Sequence, residues 1–435
     1  MHIPSVSLVF AGAFVAAVVV GTALRLWLSG RQIAAVKTNA NRVPEAFASR
    51  VPLADHQKAA DYTVATVRFG RRSLVVDIVI TLALTVGGAI GAIDLLWQRT
   101  GWGQPWRGAL VILTVVCLTG LIDLLFSIWR TFKLEARFSF NRTTAKLFIM
   151  DLAKSALLGL LLGGPIVLGA LTLMDHAGRL WWLWAWAGWL ALMLLMTWGW
   201  PAFIAPLFNK FSPLTDSQLR ARIESLLERC GFAARGVFVV DGSRRSSHGN
   251  AYFTGMGRHK RIVFFDTLLE RLTHPEVEAV LAHELGHFKL KHVRKRLLVG
   301  IAGSFAGLAL LGWLAAQPAF YSAFGVQTPS SHAALLIFMF VTPAFTFFAT
   351  PLSSLWSRRH EFEADAFAAQ YASAADLANA LVKLYRDNAT TLTPDGLYSA
   401  FYYSHPPATE RIARLRRNEV EVNGRSDPLD RPIRV

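Results

Sequence analysis

A mainly α-helical membrane protein is what this sequence predicts, with about seven transmembrane helices and a small α+β domain on the cytoplasmic side. Three observations lead there. Only 17% of the 435 residues are charged and 53% are hydrophobic, where a soluble protein carries about 25% charged residues. The apolar residues are gathered into blocks long enough to cross ~30 Å of hydrocarbon as helices. Between two such blocks, residues 280–292 read VLAHELGHFKLKH, an H-E-x-x-H made by His283, Glu284 and His287.

The first apolar block covers 7–28. Neither Lys nor Arg precedes it and no small-residue cleavage site follows, so a retained helix is expected rather than a cleaved leader. A basic polar stretch, 29–72, leads to blocks near 73–97, 108–129, 155–174 and 180–205, and together these make an N-terminal membrane domain, 1–205. A mixed segment, 206–295, carries the H-E-x-x-H. Blocks near 296–316 and 333–351 form a transmembrane hairpin, 296–351. A second mixed segment, 352–420, follows, with a disordered tail expected over 421–435.

Lys and Arg set the orientation. They crowd 29–72, 131–147, 206–295 and the C-terminal part, while the alternate loops hold only Arg99, Arg107 and Arg179. The N-terminus is therefore expected outside and both mixed segments in the cytoplasm. The net charge of +16 belongs to those loops, and with no aromatic–basic interleaving no nucleic-acid partner is expected. Cys117 and Cys230 lack partners at metal-ligand spacing, so neither a disulfide framework nor a cysteine zinc site is expected. Asp77, Asp94, Asp123 and Asp151 lie in or beside spans. Acids there often line water-filled space, although Asp94 and Asp151 read more simply as interfacial residues meeting water.

Within 206–295, Leu219, Ile223, Leu226 and Leu227 predict an amphipathic helix over 216–231. Residues 237–241 predict a strand, and 251–266 a hairpin turning at Gly255 and Gly257. An extended peptide could add to the sheet edge, for which 249–254 is the best candidate. Thr273 and Glu276 have capping-box spacing, with Pro275 in the first turn, so the H-E-x-x-H sits on a helix. Positions four apart share a helical face, which aims both imidazoles at one ion. Glu284, one residue round, is placed to handle the proton of an activated water.

Two histidines do not complete a catalytic zinc site. In SRRHEFEADAFA, 357–368, Glu361 and Asp365 are four apart on a predicted helix. Glu361 is assigned as the third ligand and Asp365 as acceptor of a ligand imidazole N–H. The intervening hairpin brings these distant segments to one membrane face. His360 is the less favoured alternative ligand, and Glu363 is expected to face elsewhere on the helix.

The chain resembles the type I CAAX prenyl proteases, integral-membrane zinc metalloendopeptidases. The resemblance rests on Arg31–Gln32, FKLEARFSFNRTT (132–144), LFNKFSPL (207–214), SSHGNAYFTG (246–255), RIVFFDTLLE (261–270), HELGH, SRRHEFEAD and YSHPPATERI (403–412). It implies helices around a water-filled chamber with the zinc site facing in. It also implies that His405 stabilises the oxyanion, and that Arg411 orients active-site groups or engages the substrate carboxylate. From the residues alone, His405 could be a turn residue and Arg411 a helix-surface charge. Asn250 and Ala251 match the strand that holds the peptide backbone. His248 and His292 are expected not to be ligands.

The resulting expectation is a zinc metalloendopeptidase with one Zn2+ per chain, embedded as a monomer in lipid. It would cut peptide or protein substrates near a prenylated C-terminus. The Arg- and Ala-rich composition points to a bacterial inner membrane rather than the endoplasmic reticulum. Many bacteria lack prenylation, so quality control of membrane proteins is the alternative. A zinc-binding transporter or scaffold is the alternative of another class. No inverted repeat supports it, and a structural site would need no free base.

Overall fold

The computed structural model describes residues 3–232, 236–254 and 261–423. Among them six helices are long and apolar enough to cross a membrane, and one bent pair makes a seventh crossing. Span 1 is Val6–Thr38, span 2 the pair Leu53–Leu84 and Ala89–Gln98, span 3 Trp106–Glu135, span 4 Ala145–His176, span 5 Gly178–Phe208, span 6 His292–Ala315 and span 7 Ser331–Tyr371.

The helices outrun the apolar blocks that predict them. Much of the polar stretch 29–72 is helical, because span 1 continues to Thr38 and span 2 starts at Leu53. Polar side chains zip these extensions together. Arg71 donates to the Ser29 hydroxyl at 2.6 Å and the Leu26 carbonyl at 2.7 Å, and His56 meets the Asn39 carbonyl at 3.0 Å.

Span 2 bends by 53° at its break. Gly88 begins the second piece at φ +74°, a conformation that suits glycine. A side chain on Gly325, in the loop between spans 6 and 7, would come within 2.7 Å of the Gly88 Cα. That crossing sits in an apolar cluster of Phe14, Ile90, Val111, Leu171, Phe324 and Ile337. Asp94 is buried beside it rather than meeting water: His332 Nε2 approaches to 3.0 Å and Arg107 Nε to 3.5 Å. Paired this way, the acid avoids the cost of an isolated buried charge. Asp151 is half-buried and takes two hydrogen bonds from Arg245, at 2.9 and 3.1 Å, while Asp77 and Asp123 stay exposed.

After span 5 the chain forms a four-stranded sheet of β1 (Phe211–Pro213), β2 (Val237–Val240), β3 (Ala251–Thr254) and β4 (Arg261–Phe265), in the order β1-β2-β4-β3. β4 runs parallel to β2 and antiparallel to β3, in the register Ala251 to Phe264. The predicted hairpin forms; its turn at Gly255 and Gly257 lies outside the described residues. β3 is an edge strand.

Asp216 caps the predicted helix, Ser217–Arg229, accepting from Leu219 N at 2.9 Å, and its four apolar residues are buried. They share a core with Ile262 and Phe264 of β4, with Val277, Leu281 and Leu285, and with Leu377 and Leu381 of a helix over Ala374–Asp387. The last helix, Ala408–Asn423, runs through 421–423; the rest of the expected tail lies outside the described residues.

Candidate active site

His283, Glu284 and His287 lie on the motif helix, His274–Lys289. Its start is defined as the sequence predicts. The capping box of Thr273 and Glu276 is complete, and Lys383 holds the same Glu276 carboxylate at 2.7 Å. Glu361 and Asp365 lie on the extension of span 7 beyond its apolar part. Residues 331–371 run as one helical stretch, through a single 3-10 turn at Phe347–Ala349.

Gly286 brings the two helices together. An added Cβ there would lie 3.0 Å from the Ala364 Cα and 3.1 Å from the Phe367 Cβ. Ala364 is fully buried in this contact. The glycine inside H-E-L-G-H thus sets how closely the Glu361 helix approaches the histidines.

Donor atoms of three residues converge where the helices meet. The Nε2 atoms of His283 and His287 are 3.3 Å apart. Glu361 Oε2 is 3.5 Å from the first, and Glu361 Oε1 is 3.3 Å from the second. A tetrahedral ion with bonds of about 2.0–2.1 Å separates its ligands by about 3.3 Å. His283 Nδ1 is 2.8 Å from Asp365 Oδ1 and so carries its proton there, leaving the Nε2 lone pair toward the convergence point. Lone pairs and a carboxylate aimed at one buried point require a cation, so the residues fit a metal. Burial pulls the His283 imidazole down, yet Asp365 and Glu361 raise it to about 9, so the cluster attracts positive charge.

Glu284 is half-buried and makes no hydrogen bond or ion pair among the described residues. His405, on the loop before the last helix, is exposed, and its Nδ1 lies 2.6 Å from Glu361 Oε2. Arg411 is 5% exposed. It forks Asp365 through Nε and Nη2 at 2.9 and 2.5 Å, and its Nη1 lies 3.8 Å from Glu361. Its buried guanidinium is thus engaged by the carboxylate that also reaches His283. Asn250 is exposed at the head of β3, its carbonyl accepting from Phe265 N at 2.9 Å. Ala251 follows on the edge strand, and Phe253 of that strand packs edge-on against Phe288 of the motif helix at 5.0 Å.

The sequence matches the family model described as CAAX prenyl protease N-terminal, five membrane helices, over residues 32–210, and the model of peptidase family M48 over 213–419. The CAAX prenyl protease 1 homolog of Caenorhabditis elegans is 32% identical over 91% of this chain and 95% of its own. This chain belongs to peptidase family M48. The homolog of Arabidopsis thaliana is 37% identical, with 75% of this chain and 79% of the relative covered. The CAAX prenyl protease 1 of Saccharomyces cerevisiae is 38% identical, with 68% and 69% covered. The crystal structure of S. mikatae Ste24p superposes with a TM-score of 0.86 at 30% identity, covering 93% of this chain and 98% of that one. The M48 chain is thus a multi-pass membrane metallopeptidase.

Sequence reasoning alone misses one part of this M48 site. Glu363 does leave the face of Glu361, as expected, but it ends at His292, with Oε2 2.8 Å from His292 Nε2. His292 is outside the ligand set, yet its Nδ1 is 3.0 Å from Nδ1 of His287. The link depends on a corner that no motif announces. Lys291 adopts φ +59° between the motif helix and span 6, which turns His292 back beneath His287. His360, the alternative ligand, stacks on His292 with ring centroids 4.0 Å apart. His248 hydrogen-bonds Asn388 at 3.1 Å and stacks on Phe140, away from the convergence point.

Proposed function

We propose that this peptidase is a zinc endopeptidase cutting near the C-terminus of prenylated peptides or proteins, with its site on the cytoplasmic face of the membrane. The observation that carries the chemistry is the cluster of His283, His287 and Glu361, with closest approaches of 3.3 Å between the imidazoles and 3.5 and 3.3 Å from them to the two Glu361 oxygens. His283, His287 and Glu361 would hold the zinc ion, which would supply Lewis acidity toward a water and the scissile carbonyl. Glu284 takes the water proton and delivers it to the leaving amine; its freedom from other partners supports this role. Asp365 fixes the tautomer of His283, and Arg411 fixes Asp365. His405 donates to the developing oxyanion, which its exposure and its place beside Glu361 support.

Substrate lies along β3. Asn250 heads that strand and Ala251 lies on it, and a peptide paired along the outer edge passes the motif helix. The prenylated class rests on the names of the relatives. The basic character of the loops joined to the site supports cytoplasmic placement, and a bacterial inner membrane is the expected location. Only 6–28% of the apolar window of each single-helix span is buried. A water-filled space enclosed by the helices, as the family resemblance implies, fits that low burial. We read the enzyme as a monomer.

The test is cleavage by purified enzyme of a farnesylated C-terminal peptide, its unmodified twin and a denatured membrane protein, with and without chelator and with bound metal quantified. Chelator-sensitive cleavage that favours the farnesylated peptide is expected. Equal cleavage of both peptides, together with the membrane protein, would replace the prenyl reading with quality control. Metal binding without cleavage of any of them would favour the transporter or scaffold reading.

A further inference from the structure

We propose that Glu363 and His292 form a two-residue relay that holds His287 as a metal ligand, making both positioning residues for the site. The inference rests on the reading of His287 as a ligand. A metal-binding His287 must present a bare Nε2, so its ring proton sits on Nδ1. That Nδ1 is 3.0 Å from His292 Nδ1, and two ring nitrogens at this distance share one proton. His287 donates, and His292 accepts. His292 then carries its own proton on Nε2, which donates to Glu363 Oε2 at 2.8 Å. This assignment satisfies all three groups, and it starts from a carboxylate.

The two ligand imidazoles are thereby supported differently. Asp365 reaches His283 directly, at 2.8 Å. Among the described residues no acid reaches Nδ1 of His287 directly, and the relay brings a carboxylate's influence to it through one intervening ring. A carboxylate behind a ligand imidazole fixes its orientation and raises its basicity. The framework holds the relay firmly. His292 is 1% exposed, stacked on His360 at an interplanar angle of 12° and placed by the Lys291 corner.

His292, His360 and Glu363 also lie close enough together to suggest a second metal site. The stacking argues against it. Imidazole lone pairs lie in the ring planes, and two nearly parallel stacked rings keep them in separate planes that do not meet at one nearby point. Both nitrogens of His292 are also engaged already.

The test is titration of Zn2+ into metal-stripped, full-length protein in detergent against a competing chelator, with thermal unfolding of the metal-free form measured alongside. Glu363 is partly exposed, so Glu363→Ala is expected to fold normally and to weaken zinc binding about 10- to 100-fold. Glu363→Gln keeps an acceptor without the charge and should fall between it and the unaltered protein. His292→Asn, which can accept from His287, should retain more affinity than His292→Leu. A merely structural role would lower metal-free stability and leave zinc affinity in place. Unchanged zinc affinity in Glu363→Ala overturns the relay. So does loss of a second zinc equivalent from that variant while the first stays tight. His287→Ala separates the two levels: if it binds zinc like the unaltered protein, the ligand reading itself fails.

Discussion

Arg31, near the end of the first span, grips Asp395 from 364 residues away, its Nε and Nη2 donating to the two carboxylate oxygens at 3.2 and 2.9 Å. Gln32 beside it accepts from Asp395 N at 2.7 Å and donates to the Tyr403 hydroxyl at 3.3 Å. Tyr403 stands two residues before His405. The Arg–Gln pair thus ties the start of the membrane domain to the loop that presents His405. Gln32→Ala should lower kcat by about tenfold through displacement of His405, with zinc content unchanged. Loss of zinc instead would show that the tie supports the whole site rather than this loop.

The same tie has a pH signature. Burial raises the Asp395 carboxyl, but the hydrogen bonds from Arg31 and from the Tyr398 and Leu397 backbone, with the Arg31 charge, together outweigh it and leave the group below its ordinary range. A depressed carboxylate stabilises the folded state above its unfolded value, about 3.9, and loses that contribution as pH falls through the folded one. Arg31 is 43% exposed, so the effect is small. Asp395→Asn should lower the melting temperature by ~2 °C at neutral pH, with the difference vanishing in strong acid. A constant difference across pH would show that the amide disrupts packing instead.

Glu284 and Glu361 should separate cleanly. Glu284→Gln should keep zinc and lose at least about 10²- to 10⁴-fold in kcat. Glu361→Ala should lose zinc itself, because the cluster then has only its His287–His283 pair. Metal analysis beside peptide hydrolysis distinguishes them, and full turnover by Glu284→Gln would refute its assignment as the base.

Gly286→Val should force the motif helix from the Glu361 helix. The first added carbon already stands 3.0 Å from Ala364 Cα, and overpacking of this kind costs about 1–3 kcal/mol. Zinc affinity should fall together with thermal stability. A variant that melts earlier yet binds zinc normally would mean the ligand cluster survives the separation.

Arg411→Lys should act as a loss rather than a conservative change. Lysine offers one point charge where Asp365 receives two hydrogen bonds from a fork. Zinc affinity should drop about tenfold or more, measured by chelator competition; an unchanged value would leave Asp365 self-sufficient.

Much of the fold was legible because its signals are local. Apolar length marks the spans, and Thr273 with Glu276 marks the start of the motif helix. The i, i+4 spacing of His283 with His287, and of Glu361 with Asp365, puts each pair on one face. What escaped depends on chain direction at single residues. The left-handed turn at Lys291 sends His292 to His287, and the Gly88 corner bends span 2. Asp94 was misread as facing water because its partners, His332 and Arg107, come from other helices. The extensions of spans 1 and 2 were hidden by their polar sequence, since side-chain ties rather than lipid support them.

The helical run from Ser331 to Tyr371, with its one 3-10 turn, sets Glu361 toward the far end of a lever whose shaft stands among lipids. Truncating the chain to its water-facing portions would saw through that lever. Bilayer thickness becomes an adjustable input, because lipids that tilt the shaft displace its tip. Matched short- and long-chain vesicles thus offer a way to tune the ligand geometry without altering a single residue.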